Sequence, residues 1–142
     1  MPYQSLPIAM RRYPISRALS MLTGLFMLFI GLRFLLAPRA GAEGFGVFLP
    51  AEATSYAFHY AKGIRDVFSG GLLLVFAALG YDRPLAWVLL LGAGIPCVDA
   101  AIVLSQPTAS LALAMPHLVA IGLLLGLAWS LFRSSAASPR LA

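Results

Sequence analysis

The chain has 142 residues, of which 61% are hydrophobic and 11% are charged, and its formal net charge is +5. Soluble domains carry about 25% charged and about 45–50% apolar residues, so this composition excludes an ordinary soluble domain and predicts that lipid is the solvent. The apolar runs are continuous rather than alternating. Because every backbone polar group in lipid must be paired within the protein, such runs predict transmembrane helices.

Four apolar runs reach the roughly 20 residues that a membrane span needs. In chain order they cover residues 18–36, 56–79, 85–104 and 109–132. Helix-breaking prolines separate the runs, at Pro38, Pro50, Pro84 and Pro107. The sequence therefore predicts an all-α integral membrane protein, a four-transmembrane-helix bundle built as one domain.

The distribution of basic residues predicts the orientation of this bundle. One side of it holds Arg11, Arg12, Arg17, Arg83, Arg133 and Arg140, whereas the opposite loops hold Arg39 beside Glu43 and Glu52. The positive-inside rule then predicts that both termini are cytoplasmic. Residues 1–16 and 133–142 are the predicted cytoplasmic tails of a transmembrane domain at 17–132, which carries an outer cap loop at 37–55. The basic residues form no stripe, which argues against nucleic acid as a partner.

Ionisable side chains of all four predicted spans fall at one depth. At about 1.5 Å of rise per helical residue, counting from the predicted helix ends places them in the outer half of the membrane. They are Arg33, Lys62, Arg65, Asp66, Asp99 and His117. An intramembrane charge costs about 2.5–3.5 kcal/mol on insertion scales, so such residues usually face the bundle interior and pair. We therefore expect the three cations to face the two carboxylates across one polar pocket.

Prolines and glycines in the spans fit this arrangement. Pro96 and Pro116 directly precede the residues around Asp99 and His117, and a proline inside a helix opens the hydrogen-bond ladder at that depth. Small residues let transmembrane helices approach closely. Close approach is predicted at three glycine pairs: Gly24 and Gly31, Gly63 and Gly70, and Gly92 and Gly94.

The connection at 37–55 is unusually long for a bundle of this size. Long structured connections are often lids. We expect this one to form a cap at the outer interface, with Phe45 and Phe48 dipping into lipid or lying over the mouth of the pocket.

The polar residues allow two interpretations. The candidate catalytic residues are Asp66, Asp99 and His117, and the candidate ligand-binding residues are Arg33, Lys62, Arg65, Phe45 and Phe48. In the first interpretation, the acidic and histidine side chains move a proton while a cation holds an anionic or carbonyl oxygen. In the second, the charges form a structural ion-pair cluster that sets helix register, and the histidine donates one interhelical hydrogen bond.

Metal and disulfide chemistry find little support in the composition. Two histidines and few carboxylates are too few for the usual zinc or di-iron bundle, so no metal site is expected. Cys97 is the only cysteine, which excludes a disulfide within the chain. The sequence does not identify a cofactor.

Four segments resemble a family of small four-span integral membrane proteins carried as a domain of unknown function, and they are loosely similar to the DoxX-like proteins. The segments are GLRFLLAPRAGAEGFGVFLP, YAKGIRDVFSGGLLL, CVDAAIV and PHLVAIG. The resemblance covers most of residues 22–130, and Gly63, Arg65, Asp66, Asp99 and His117 fall on its characteristic positions. It implies a four-helix fold in a plasma membrane, or in an inner membrane if the source is bacterial, and no established reaction.

The leading hypothesis is a small membrane protein whose polar pocket, in the outer half of the bilayer, binds a small lipophilic molecule. Isomerisation, cyclisation or assistance in redox chemistry would suit the same side chains. The alternative is a non-catalytic membrane subunit, a partner in transport or assembly, whose intramembrane charges are structural. The expected partners are the lipid bilayer and the ligand, and the sequence leaves homo-oligomer formation open.

Overall fold

The computed structural model describes residues 15–136, and all regular secondary structure within them is helical. The described helices are α1 (Ile15–Leu36), α2 (Pro38–Phe45), α3 (Ala57–Leu79), α4 (Asp82–Gly92), α5 (Gly94–Leu104) and α6 (Leu111–Ala136). Most of the predicted tails, including Arg11, Arg12 and Arg140, lie outside the described residues. The predicted all-α class is confirmed for the part of the chain that is described.

Three stretches are long and apolar enough to cross a membrane. They are Ile15–Leu36, Asp82–Leu104, which contains both α4 and α5, and Leu111–Ser135. Three such stretches in one chain indicate a multi-pass membrane protein. The helix α3 has a similar length of 23 residues, but it carries Lys62, Arg65 and Asp66.

Large apolar side chains cover the outside of these helices. On α1, Leu22 and Phe26 are each 61% exposed, and on α6 Val119 and Trp129 are similarly exposed. A soluble protein rarely leaves so much contiguous apolar surface in water. Lipid tails are the environment in which this surface is stable.

The helices α1 and α3 pack antiparallel at backbone contact. Gly24 lies against Gly70, and Gly31 lies against Gly63. A Cβ added at Gly31 would lie 2.7 Å from the carbonyl oxygen of Gly63, and one added at Gly70 would lie 2.6 Å from that of Gly24. The prediction that helices approach closely at Gly24, Gly31, Gly63 and Gly70 is confirmed.

The helices α4 and α5 form one interrupted rod that packs against α6. The interruption at Ala93 follows from Pro96, which has no N–H to donate to the carbonyl of Gly92. An added Cβ at Gly92 or Gly94 would meet nothing within 4 Å. The prediction of close helix approach at these two glycines is wrong, because they lie where the rod is broken rather than where it is packed.

The apolar core joins α3, α4 and α6 in one half of the bundle. Its buried members are Leu73, Ala77, Leu85, Ala86, Leu89, Ala93, Leu124, Leu127, Ala128 and Leu131. At the same end, Arg17 at the start of α1 pairs with Asp82 at the start of α4, with Arg17 Nε donating to Asp82 Oδ1 at 2.9 Å. A cavity begins in the opposite half of the bundle and extends along the helices.

The connection at 37–55 contains the short helix α2. Pro38 is its first residue, and Gly46 ends it in the left-handed conformation with φ of 97°. Proline at a helix start and glycine just past its end are common helix signals. Arg39 donates hydrogen bonds to the carbonyls of Leu49, Pro50 and Ala51, so it ties the remaining connection to α2.

Candidate functional site

A cavity of about 600 Å³ runs between the α1–α3 pair and the helices α4, α5 and α6, with α2 across one end. Its polar lining at that end consists of Arg33, Lys62, Asp66, Asp99 and His117. These five side chains come from α1, α3, α5 and α6. The prediction that four separate segments place ionisable residues at one level agrees with this geometry.

Lys62 lies at the centre of the polar end. Its Nζ donates to Asp66 Oδ2 at 3.0 Å and to Asp99 Oδ2 at 3.2 Å. Asp66 is one turn further along α3, whereas Asp99 is on α5, so a single ammonium group joins two helices. The two aspartates are only 3% and 8% exposed. Without a shared cation, two buried carboxylates would face each other at a considerable free-energy cost.

Arg65 completes a neutral cluster. Its Nε lies 3.9 Å from Asp66 Oδ1, and its Nη2 lies 3.9 Å from Asp99 Oδ1. The Arg65 side chain is half exposed and does not line the cavity. Two cations therefore balance two carboxylates, and the cluster by itself carries no net charge.

Two aromatic rings pack against the ammonium group of Lys62. Its Nζ lies 5.3 Å from the ring centre of Phe34 and 4.7 Å from that of Phe45. Both distances are within the range of about 6 Å over which a cation is attracted to a ring face. The two rings meet edge to face with their centres 6.0 Å apart. Phe34 was not among the predicted site residues, because in the sequence it is one apolar residue among many in α1.

His117 holds the end of α2 over the cavity. Its Nε2 donates to the carbonyl oxygen of Phe45 at 3.1 Å, and the two rings lie 4.7 Å apart. The last carbonyls of a helix have no intrahelical partner, so this bond satisfies one of them. Among the described residues, His117 forms no hydrogen bond with Asp66 or Asp99, and the predicted proton-moving group is not assembled by direct contact.

Arg33 lies in the last turn of α1 and lines the cavity beside α2. A Cβ added at Gly44 would lie 2.8 Å from Arg33 Nη1, so glycine at that position leaves room for the guanidinium group. All five acidic side chains of the sequence are in the described part of the chain, and none of them pairs with Arg33 there. The expected pairing of Arg33 with Asp66 or Asp99 is thus not formed.

The rest of the cavity is apolar and opens sideways. On α1 its walls include Leu22, Phe26 and Phe29, and on α6 they include Val119 and Leu123. All five side chains have large exposed fractions. The cavity that they line is not enclosed, and an opening between α1 and α6 would face the surrounding lipid.

The remaining predicted residues are placed differently. Phe48 is 55% exposed and does not line the cavity, whereas Phe45 does. Pro96 and Pro116 both line it, at the level of Asp99 and His117. His59 lies outside the cavity, where its ring stacks on Phe34 and meets Tyr56 edge to face.

The Arg17–Asp82 ion pair is the interaction that sequence reasoning missed. Arg17 Nη2 donates to both carboxylate oxygens of Asp82, at 2.6 and 2.7 Å, and Arg17 is buried. The available signal was that Asp82 is the one acidic residue on the predicted cytoplasmic side. Arg17 was interpreted only as a determinant of orientation.

Within residues 15–136, no group of three or more His, Cys, Asp or Glu side chains is arranged to hold a metal ion. At the polar end, Lys62, Asp66 and Asp99 are instead engaged with one another, and His117 is engaged with the backbone of α2. This arrangement can hold a molecule with a polar and an apolar part. The cations, the histidine and the aromatic faces would contact the polar part, and the apolar walls of the cavity would contact the remainder.

Comparison with known proteins identifies a family without a known activity. No curated protein and no solved structure shows a significant match to the chain. A family model described as Domain of unknown function (DUF4267) matches residues 24–131, which contain the whole polar end and its cap. The similarity to DoxX-like proteins stays a prediction. Because the match covers well over half of the sequence, the chain belongs to the DUF4267 family.

Proposed function

We propose that this protein is a four-span membrane protein that binds a small lipophilic molecule in the cavity between its helices. The fourth span in this proposal is α3. It is long enough to cross a bilayer, and Lys62 and Asp66 line the cavity rather than the lipid-facing surface. Charges that face the interior and pair with each other are the kind that a membrane span tolerates.

The proposed orientation places both termini in the cytoplasm. Of the arginines on the proposed inner side, Arg17, Arg83 and Arg133 fall within the described helices, near helix ends. The polar end of the cavity and α2 lie at the other end of α1, beside Arg33. Under the positive-inside rule, this polar end is then at the outer face of the membrane.

One observation carries the binding proposal: a single cavity is polar at one end and apolar along the rest of its length. Its volume of about 600 Å³ is within the range of about 300–1,000 Å³ that is typical of small-molecule sites. Convergent polar groups in a mostly apolar cleft are the usual pattern of such sites, because the apolar walls supply affinity and the polar groups fix orientation. A lipophilic molecule with a polar group matches both parts.

Binding fits the geometry better than catalysis does. The buried carboxylates accept hydrogen bonds from Lys62, and His117 Nε2 donates to the backbone of α2. Asp66, Asp99 and His117 form no hydrogen bond with one another, so no acid–base pair is assembled among them, whereas binding requires no such pair. Isomerisation, cyclisation and redox assistance therefore stay hypotheses within the binding proposal.

A cavity-filling substitution tests the proposal. Ala120 on α6 lines the cavity, whereas Ala112 on the same helix is exposed and lies outside it. We expect a lipophilic molecule to co-purify with the wild type and with Ala112→Trp, as measured by mass spectrometry of an organic extract, and to be lost from Ala120→Trp. Equal retention by the two tryptophan variants would contradict binding in this cavity.

A second candidate function is a non-catalytic membrane subunit whose charges are structural. The observation that favours it is the neutral cluster itself, since Lys62 joins α3 to α5 through two buried carboxylates. This candidate predicts that Lys62→Met combined with Asp66→Asn and Asp99→Asn restores the stability that Lys62→Met alone removes, with the co-purified molecule unchanged. Loss of that molecule from a stable triple variant would count against it.

A further inference from the structure

Three cations and two carboxylates lie at or beside the polar end of the cavity, so one positive charge there has no carboxylate to balance it. Lys62 and Arg65 are matched by Asp66 and Asp99 within the cluster. Arg33 lines the same end of the cavity and pairs with no carboxylate in the described chain. Arg33 is exposed in the last turn of α1, so its charge can be compensated either by the polar interface of the membrane or by an anion in the cavity.

Glu43, the acidic residue of α2, does not supply an anion for Arg33. Glu43 lines a separate shallow pocket with Arg39 and Tyr56, on another face of α2. The side of α2 that meets the cavity presents Gly41, Gly44 and Phe45, none of which carries a charge. The guanidinium group of Arg33 therefore forms no ion pair in the described chain, although Asp66 and Asp99, which pair with Lys62, line the same cavity.

The apolar part of the cavity has the length of a lipid tail. Along α1 its lining extends from Ile30 to Leu19, which corresponds to about 17 Å at 1.5 Å per residue. One leaflet contributes about half of a hydrocarbon core of about 30 Å, so a tail of roughly 15 Å fits within this length. The volume of about 600 Å³ suits one such chain with a compact head group rather than a two-chain phospholipid.

The gap between α1 and α6 provides access for such a molecule. Phe26 on α1 and Val119 on α6 both line the cavity and are both exposed. A tail could move from the bilayer into this gap without passing through water. The polar end would receive the head group at the level of Arg33, under α2.

We infer that the ligand is a single-chain amphiphile with a monoanionic head group, which reaches the cavity from the bilayer and is held by Arg33. This inference rests on the proposed binding function and adds the chemical class of the ligand. The head group can be a carboxylate or a phosphodiester, since a guanidinium group binds either one with two parallel hydrogen bonds. Such charge-assisted bonds are stronger than those to a neutral hydroxyl.

A competition assay with purified, delipidated protein tests the inference. Radiolabelled oleate is the probe, and the competitors are unlabelled oleate, oleyl alcohol, single-chain lysophosphatidylglycerol and two-chain dioleoylphosphatidylglycerol. Oleyl alcohol has the same chain as oleate and no charge, so the ratio of their potencies isolates the head group. The relative potency of oleate and lysophosphatidylglycerol identifies which anionic head group fits better.

Three variants complete the design. Arg33→Gln removes the proposed head-group cation, and Arg33→Lys keeps its charge. Arg83→Gln makes the same charge change at an exposed arginine at the start of α4, outside the cavity. Elution volume and melting temperature verify that each variant is folded, and Arg33→Lys provides a charge-retaining substitution at the same position.

We expect the wild type and Arg83→Gln to prefer the single-chain anions over oleyl alcohol by about tenfold or more. Arg33→Lys should keep much of this preference, and Arg33→Gln should reduce it to within about twofold. If oleyl alcohol binds as tightly as oleate to the wild type, or if the two-chain lipid competes better than either single-chain anion, the inference is overturned while lipophile binding stands. If labelled oleate does not bind the wild type, the inference is overturned as well, whereas the proposed function fails only if no lipophilic molecule co-purifies with the wild type or if Ala120→Trp retains it.

Discussion

Among the described glycines, the least space for a side chain is at the crossing of α1 and α3, and this gives a sharp test of the fold. Gly70 and Gly71 are neighbours in α3, yet their surroundings differ completely. An added Cβ at Gly70 would lie 2.6 Å from the carbonyl oxygen of Gly24 and 3.0 Å from the backbone nitrogen of Leu28. An added Cβ at Gly71 would meet nothing within 4 Å. The two alanine variants therefore differ only in whether the new methyl group has space.

The magnitude follows from these distances. Comfortable separations between non-bonded heavy atoms are about 3.5–4.0 Å, so Gly70→Ala requires α1 and α3 to separate locally by close to 1 Å. Overpacking of this kind costs about 1–3 kcal/mol. We expect about 2–3 kcal/mol here, because the obstacle is backbone and cannot rotate away. The better helix propensity of alanine, worth up to about 1 kcal/mol, is common to both variants and cancels in the comparison. The two variants should thus differ by about 2–3 kcal/mol.

The measurement is reversible unfolding in mixed micelles with increasing SDS, followed by far-ultraviolet circular dichroism. Both variants have the same composition, so differences in detergent binding by an extra methyl group cancel. Gly31→Ala should behave like Gly70→Ala, since its Cβ would lie 2.7 Å from the carbonyl oxygen of Gly63. Equal free energies of unfolding for the variants at Gly70 and Gly71 would refute the conclusion that α1 and α3 pack at backbone contact.

Three further predictions concern orientation, charge and the cap. A reporter fused at residue 142 should be active only in the cytoplasm and one inserted after residue 51 only outside, and the reverse pattern would overturn the proposed orientation. Lys62→Met should lower the free energy of unfolding by about 3–5 kcal/mol, because two buried carboxylates lose their shared cation. Arg65→Met, at a half-exposed position, should lower it by no more than about 1 kcal/mol. Similar losses for the two variants in micelle unfolding would argue against the central role of Lys62. Phe45→Ser should speed release of bound oleate while Phe48→Ser leaves it unchanged, since only Phe45 lines the cavity, and equal release rates would mean that α2 is not a lid.

The long helices were predictable because their signals are local. A membrane helix needs only an uninterrupted apolar run between breakers, and α1, α3 and α6 begin and end within a few residues of the runs in the sequence. The break between α4 and α5 was signalled by Pro96, although its position at Ala93 follows from the carbonyl that this proline leaves without a donor. Neighbouring residues determine these helix ends and the helix break, so both can be predicted from the sequence.

The helix α2 was not predictable from the same reasoning. Gly41 and Gly44 lower its intrinsic helix propensity, so the segment reads as a loop even though Pro38 and Gly46 mark a helix start and end. Its stability comes instead from tertiary contacts. Gly41 packs against Phe34, and the carbonyl of Phe45 accepts a hydrogen bond from a distant helix.

For the site, depth was predictable and pairing was not. Counting residues along each helix gives the level of a side chain, and it brought Lys62, Asp66 and Asp99 to one level. Which cation reaches which carboxylate depends on the rotation of each helix about its axis and on the side-chain rotamers. Arg33 has the right depth, yet it lies at the end of the cavity beside Gly44 and away from both carboxylates.

Small and large side chains lie on different faces of α1, and this explains both the close α1–α3 packing and the cavity. Its small residues, Gly24 and Gly31, face α3 and allow backbone contact, whereas larger side chains such as Phe26 and Phe29 face α6. Rings of that size line the cavity, and α1 contacts α6 far less than it contacts α3. Stability is then governed by the α1–α3 contact and ligand access by the α1–α6 gap. A substitution at Gly70 consequently acts on the first contact, and one at Arg33 acts on the contents of the gap without disturbing the glycine packing.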